Sequence, residues 1–222
     1  MTALRLAHRG DWRVAPENSL AAMRAALANR ACDGLEFDVR LSGDGVPILL
    51  HDESLARVQG DAHDARDLAA GELAAWGIPT LAEVLAAAGR EAFLDIELKE
   101  PATDSVLAVI HAARGRADGT LEQAVVSSFD PAIVAGLRAA RPGWPVWGNA
   151  RDLDPRTIAI AGELGCSALS VTWRGIDAAG VRRARDAGLD VAAWTVRRRP
   201  TFGRLERLGV IAICAEASAL DG

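Results

Sequence analysis

Two histidines stand among carboxylates near the N-terminal end of this chain. The first block is His8-Arg9-Gly10, followed by Pro16-Glu17-Asn18-Ser19. The second is Glu36-Phe37-Asp38-Val39, leading to His51-Asp52, and a third piece, Glu97-Leu98-Lys99, comes later. Histidine exchanges a proton near neutral pH, so His8 and His51 are a candidate acid–base pair. Glu36 and Asp38 are two apart on an expected strand, which puts both on one face with α-carbons about 6.6 Å apart. Buried side by side they would repel, and a divalent cation between them removes that cost. Glu97 ends another strand and can bring a third carboxylate to the same point. An all-oxygen ligand set suits Mg2+ or Ca2+ better than zinc or copper. Arg9 and Lys99 can hold phosphate oxygens, the first as a planar fork and the second as a point charge. The inventory is that needed to cleave a phosphodiester beside one divalent cation.

Each residue also has a plainer reading. Glu36 and Asp38 could pair with Arg40 and Arg57 in a buried ion network. Glu97 and Lys99 could form an ion pair with no substrate role. A lone histidine at a strand end is more often a structural hydrogen-bonder. Two of the four histidines at such ends, each beside a charge, shift the balance, whereas His63 and His111 read as exposed. Asn18 reads as the cap of the helix it opens. Phe129 and Trp194 sit near strand ends, where an apolar wall for a substrate competes with simple core packing.

These residues need a scaffold that aims strand ends at one point. Apolar strands are expected at 4–8, 34–39, 92–97, 124–128, 145–148, 168–171, 191–196 and 210–214. Helical stretches alternate with them at 18–29, 80–88, 103–114, 131–140, 154–164, 177–187 and 200–208. That alternation predicts an α/β fold with a parallel sheet, and eight strands in a chain of 222 residues predict a compact TIM-type (β/α)8 barrel. An open doubly wound sheet is the rival, weakened by the lack of a glycine-rich loop after the first strand. Thr80 with Glu83 reads as a capping box. Pro131, Asp154-Pro155 and Asp177 read as helix starts, and Gly143, Gly165, Gly188 and Gly209 as helix ends. Ser42-Gly43-Asp44-Gly45 is turn chemistry before the apolar run Val46–Leu50. A tight hairpin there would set Glu36 opposite His51, although an extra parallel strand is an alternative. Residues 53–78 read as a short surface insertion over the active end, and the whole chain, 1–222, as one barrel domain.

Composition narrows the partners. Hydrophobic residues make up 50% of the chain and charged residues 25%, as in ordinary globular proteins. A net charge of −5 argues against nucleic acid as the main partner. The first motif arrives by residue 8, which leaves no room for a signal peptide, and no apolar run approaches the roughly 20 residues that span a bilayer. Cys32, Cys166 and Cys214 are scattered and odd in number, which predicts reduced, buried thiols and a cytoplasmic protein without integral membrane association. Oligomeric state is not legible.

In this order the motifs resemble the glycerophosphodiester phosphodiesterase family. The matching pieces are His8-Arg9-Gly10, Pro16-Glu17-Asn18-Ser19, Glu36-Phe37-Asp38-Val39, Asp44-Gly45, His51-Asp52, Ile78-Pro79-Thr80-Leu81, Glu97-Leu98-Lys99, Ser128-Phe129 and Trp194-Thr195-Val196. The resemblance implies a TIM-type barrel. It implies that His8 and His51 are the acid–base pair, that Glu36, Asp38 and Glu97 hold the metal, and that Arg9 and Lys99 bind phosphate. It implies substrates such as glycerophosphocholine and products glycerol 3-phosphate and an alcohol. Attack by the neighbouring glycerol hydroxyl through a cyclic phosphate, or by water directly, are both open routes. A lysophospholipase D or a phosphatidylinositol phospholipase C-like enzyme is the nearest alternative, and a non-catalytic barrel that only binds is the more distant one. The chain departs from the family pattern at Arg197, at Arg57-Val58 and in its last strand, Gly209 to Glu216, and these changes bear on substrate preference.

Overall fold

Among the described residues, apolar runs bounded by turn residues become nine strands. They are β1 (Leu4–His8), β2 (Gly34–Leu41), β3 (Pro47–Leu49), β4 (Phe93–Leu98), β5 (Ala124–Ser128), β6 (Val146–Ala150), β7 (Ala168–Thr172), β8 (Asp190–Val196) and β9 (Ala212–Ala215). A computed structural model describes residues 2–222 of the chain. The strands run in the order β1-β9-β8-β7-β6-β5-β4-β2-β3, and β1 also pairs with β2, which closes the sheet into a barrel. Every pairing is parallel except β2 with β3, so eight parallel strands form the barrel and β3 is an antiparallel flap on β2. The open-sheet rival is thereby excluded.

Among the described residues there are eight helices: α1 (Leu20–Leu27), α2 (Ala70–Ala75), α3 (Leu81–Ala88), α4 (Asp104–Arg114), α5 (Pro131–Ala140), α6 (Pro155–Glu163), α7 (Ala178–Asp186) and α8 (Arg199–Arg207). All but α2 pack on the outside of the barrel. Their starts follow the expected signals. Thr80 and Glu83 form a reciprocal capping box on α3, Pro131 opens α5, and Asp177 accepts from the Gly180 amide at 2.6 Å. Gly165, Gly188 and Gly209 take positive φ just beyond α6, α7 and α8. Gly143 does not cap a helix. Its place is set by a close approach, since a Cβ there would lie 2.7 Å from the Gly119 carbonyl oxygen.

Strand alternation sorts the side chains into two compartments. Leu35, Phe37, Val39, Leu94, Ile96 and Leu98 face outward into the main core beneath the helices. Leu6, Val125, Trp147, Ala168, Ala192, Ala212 and Cys214 fill the barrel interior. The next inward positions toward the C-terminal ends of the strands are polar: Glu36, Asp38, Asp95, Glu97, Ser127 and Ser170 are all buried. Two cysteines are buried, whereas Cys32 is only partly so, and all three are free.

Two connections differ from expectation. The hairpin forms, but its register is Val39↔Leu49, Arg40↔Ile48 and Leu41↔Pro47. Leu50 N then donates to Asp38 O at 3.1 Å, so His51 lies beyond the strand in a bend and is not opposite Glu36. The insertion at 53–78 carries a helix, α2, and packs a small core of its own from Ile48, Leu50, Leu55, Ala65, Leu73 and Ile78.

Candidate active site

The barrel brings the sequence-predicted residues to one mouth. A cavity of about 250 Å³ at the C-terminal ends of the strands is lined by His8, Arg9, Glu36, His51, Glu97, Lys99, Phe129 and Trp194 among others. Asp38 lies directly beneath it and is 0% exposed. Parallel register accounts for the convergence: His8 pairs across with Glu36, and Asp38 with Glu97. Oxygens of Glu36, Asp38 and Glu97 lie within 4.8 Å of one another. Glu36 Oε2 is buried without a hydrogen-bond donor, its nearest basic neighbour being His8 Nε2 at 3.7 Å. A buried carboxylate oxygen lacking a donor is costly, and a divalent cation is the partner such a donor set accepts. The residues present therefore fit the ion that their types implied.

Asp38 anchors the cations. Arg9 Nε and Asn18 Nδ2 each lie 2.9 Å from Asp38 Oδ2. Lys99 Nζ is 2.9 Å from Asp38 Oδ1, an ion pair off the hydrogen-bonding angle, and it also donates to Glu97. Burial would raise the Asp38 carboxyl, but Lys99, Arg9 and His51 outweigh it and hold it well below the usual carboxylate range. Glu36 shows the opposite balance. Burial first, then the charges of Asp38, Glu97 and Asp95, push it well above the ordinary value. Burial and Asp38 raise Glu97 as well, against the pull of Lys99. The Glu97–Lys99 pair is thus real, while the alternative network of Glu36 and Asp38 with Arg40 and Arg57 does not form. Arg40 pairs with Glu100 and donates to the His51 carbonyl at 3.0 Å, and Arg57 pairs with Glu17 and Asp52.

Each histidine is held through Nδ1 by a carboxylate. Glu216 Oε1 lies 2.6 Å from His8 Nδ1, and Asp52 Oδ1 lies 2.6 Å from His51 Nδ1. A carboxylate can only accept, so Nδ1 carries a proton, and Nε2 is left to act as a base when bare or as an acid when it too is protonated. Burial lowers the His51 pKa, and the raising effects of Asp38 and Asp52 do not restore it. Asp52 is in turn bound by Arg57, and Glu216 by Arg197 Nε at 2.7 Å. Two departures from the family pattern, Arg197 and the end of the last strand, are therefore partners of each other behind His8.

Trp194 is partly buried and packs against the barrel-interior cluster, whereas Phe129 stands outside the core. Phe129 is 45% exposed, and the two rings meet edge to face with centroids 5.4 Å apart, forming an apolar wall of the cavity. His63 and His111 are exposed, as expected.

Asn18 does not cap α1, since Ser19 does, accepting from the Ala22 amide. Asn18 instead takes φ +57° and turns inward to Asp38. Arg9 has φ +59°, and Gly10 at φ +81° passes so close to α1 that a Cβ would fall 2.7 Å from the Ala22 carbonyl carbon. These backbone states aim Arg9 at Asp38 and Glu17. Sequence reading also passed over Asp95 and Glu216. Asp95 was signalled by its spacing, two before Glu97 on the same strand, but nothing local marked Glu216 as the partner of His8.

The fold is a TIM-type barrel whose C-terminal mouth gathers three buried carboxylates and two histidines, each held by a carboxylate. The model of the Glycerophosphoryl diester phosphodiesterase family matches residues 8–219, and the chain belongs to that family. It is 36% identical over 113 residues to a glycerophosphodiester phosphodiesterase of Caldanaerobacter subterraneus, a match covering 45% of this chain and 46% of that protein. It is 25% identical over 242 residues to a glycerophosphodiester phosphodiesterase of Bacillus subtilis, covering 95% of this chain and 82% of that one. The chain thus spans about half the length of the first relative, 46%, and most of the second, 82%. Its fold matches a phosphodiesterase of Oleispira antarctica, solved with sn-glycerol-3-phosphate, with a TM-score of 0.81, 24% identity, and coverage of 96% of this chain and 93% of that chain.

Proposed function

We propose that this chain hydrolyses glycerophosphodiesters to glycerol 3-phosphate and an alcohol, with His8 and His51 as the proton-transfer pair. The observation that carries the reading is that both histidines, each held at Nδ1 by a carboxylate, open onto one cavity with Glu36 and Glu97, whose oxygens cluster with those of buried Asp38. Glu36, Asp38 and Glu97 would hold one divalent cation, Mg2+ or Ca2+, which supplies Lewis-acid polarisation of a phosphate oxygen.

Arg9 and Lys99 bind the remaining phosphate oxygens. Both keep N–H donors beyond those spent on carboxylates, and both are held protonated: burial opposes the charge most strongly, but Asp38, Glu36 and Glu17 together outweigh it at Arg9, and Asp38 and Glu97 together at Lys99. His51, with its pKa lowered by burial, is neutral near pH 7 and takes the proton from the attacking hydroxyl. That hydroxyl is the neighbouring one of the glycerol or a water. His8 is left to protonate the departing oxygen. Phe129 and Trp194 line the side of the cavity and limit water access there.

The test is turnover of glycerophosphocholine and glycerophosphoethanolamine, followed by release of glycerol 3-phosphate, with a chelator control. Release that stops in EDTA and returns with Mg2+ or Ca2+ is expected. Absence of glycerol 3-phosphate under any ion would overturn the reading.

A further inference from the structure

A second cavity, about 600 Å³, opens beside the first and shares Trp194 and Thr195 with it as common wall. It lies at the C-terminal ends of β7 and β8, where a barrel's loops choose among substrates. No carboxylate lines it. Three arginines do, Arg174, Arg197 and Arg198, on a chain whose net charge is −5. Arg197 is committed to Glu216. Arg174 and Arg198 have no carboxylate within ion-pairing distance among the described residues, and both are exposed to the groove's solvent. The hydroxyls of Thr172, Thr195 and Thr201, each partly buried, complete the lining.

This chemistry selects a ligand. An aromatic face attracts a quaternary ammonium, but the Trp173 ring already carries the Arg174 guanidinium, 4.4 Å from its centroid. A choline would meet like charge there and leave most of the space to water. Guanidinium forks match phosphate oxygens, and threonine hydroxyls match the hydroxyls of a polyol. Building on the diesterase reading above, we infer that this groove is the leaving-group subsite and that it takes a phosphorylated polyol. The preferred substrate is a glycerophosphodiester whose second alcohol bears its own phosphate.

The experiment compares glycerophosphocholine, glycerophosphoinositol and glycerophosphoinositol 4-phosphate as substrates. It uses the intact chain and an Arg174→Gln/Arg198→Gln double variant. Binding of inositol 1,4-bisphosphate to both proteins is measured in parallel by calorimetry. The unmodified chain should favour the phosphorylated substrate over the choline substrate by about tenfold or more in kcat/KM, mainly through KM, the scale of one charge-assisted contact. The double variant should lose that ratio and bind the bisphosphate about tenfold more weakly. A choline substrate turned over as well as the phosphorylated one, or bisphosphate binding untouched by the double variant, overturns the inference. Arginine-dependent binding of the bisphosphate without turnover of any substrate would keep the groove and reject the hydrolase.

Discussion

Replacing Asp95 with asparagine should stabilise the ion-free protein at alkaline pH and change little in acid. The Asp95 side chain is 2% exposed and receives one hydroxyl donor, Ser127 Oγ at 2.6 Å. Burial first, then the charges of Glu97 and Asp38, push its pKa from 3.8 up to about 7 against the help of Ser127. Each tenfold change in proton affinity is about 1.36 kcal/mol, so carrying the ionised carboxylate in the fold costs roughly 4 kcal/mol. The sign follows from where the proton sits. Below about pH 4 the group is protonated in both folded and unfolded chains, and stability does not depend on it. From there to about pH 7 the folded chain keeps a proton that the unfolded chain has lost, so stability falls as pH rises. Above that window the full cost is present. The substituted amide keeps an acceptor for Ser127 and carries no charge. For a chain of this size 1 kcal/mol is about 2–4 °C in Tm, so the variant should gain about ten degrees near pH 8.5, a few degrees near pH 5 and little below pH 4. Thermal unfolding in EDTA across that range reads the effect, and added Mg2+ should shrink it by neutralising Glu97 and Asp38. Parallel melting curves for the two proteins over the whole range would refute the reasoning.

Other residues of the mouth give further outcomes. Glu36→Gln, Asp38→Asn and Glu97→Gln should each weaken Mg2+ or Ca2+ binding in calorimetry, and undiminished affinity in all three would remove the triad as the ion site. His8→Ala and His51→Ala should each lower kcat by about 10²–10⁴-fold. A nitrophenyl diester, whose leaving group needs no acid, should rescue the His8 variant much more than the His51 variant; rescue of His51 instead would reverse the assignment. Asn18→Gly should cost roughly 1–3 kcal/mol in urea unfolding by stripping a donor from buried Asp38. Asn18→Ala should cost more because φ +57° strains an alanine, and equal stability of the two variants would show that the backbone there relaxes freely.

The barrel was legible because hydrophobic runs and caps are local signals. Strands β1 and β5 match the expected 4–8 and 124–128, and most helix starts lie where Pro131, Thr80 and Asp177 announced them. The site was legible to the extent that chemistry and strand spacing coincide, as for Glu36, Asp38 and Glu97. What escaped depends on backbone states and long-range contacts. Asn18 looked like a cap because its type favours caps, and only its left-handed backbone turns it toward Asp38. The hairpin register missed because β3 ends at Leu49 and the bend after it re-aims His51. Glu216 is 208 residues from His8 in sequence, and only barrel closure, with β9 against β1, makes them neighbours.

Charge balance ties the fold to the chemistry. Four carboxylates, Glu36, Asp38, Asp95 and Glu97, are buried at the mouth, and two cations, Arg9 and Lys99, face them there. With all four ionised the excess is two negative charges, the charge of one divalent cation. Without such an ion the excess must be met by protons, and that is the sense of the raised pKa values of Glu36, Asp95 and Glu97. The cations are not spread evenly over the acids. Both pair with Asp38, which stays ionised, while Glu36 is left with a buried oxygen that no donor reaches. The arrangement therefore keeps one permanent anion at the centre and surrounds it with carboxyls that hold protons where the charge of a metal ion would replace them. The carboxyls sit on the inner face of strands whose outer face is packed in one continuous apolar core beneath the helices, so the charged mouth and that core occupy opposite faces of the same sheet.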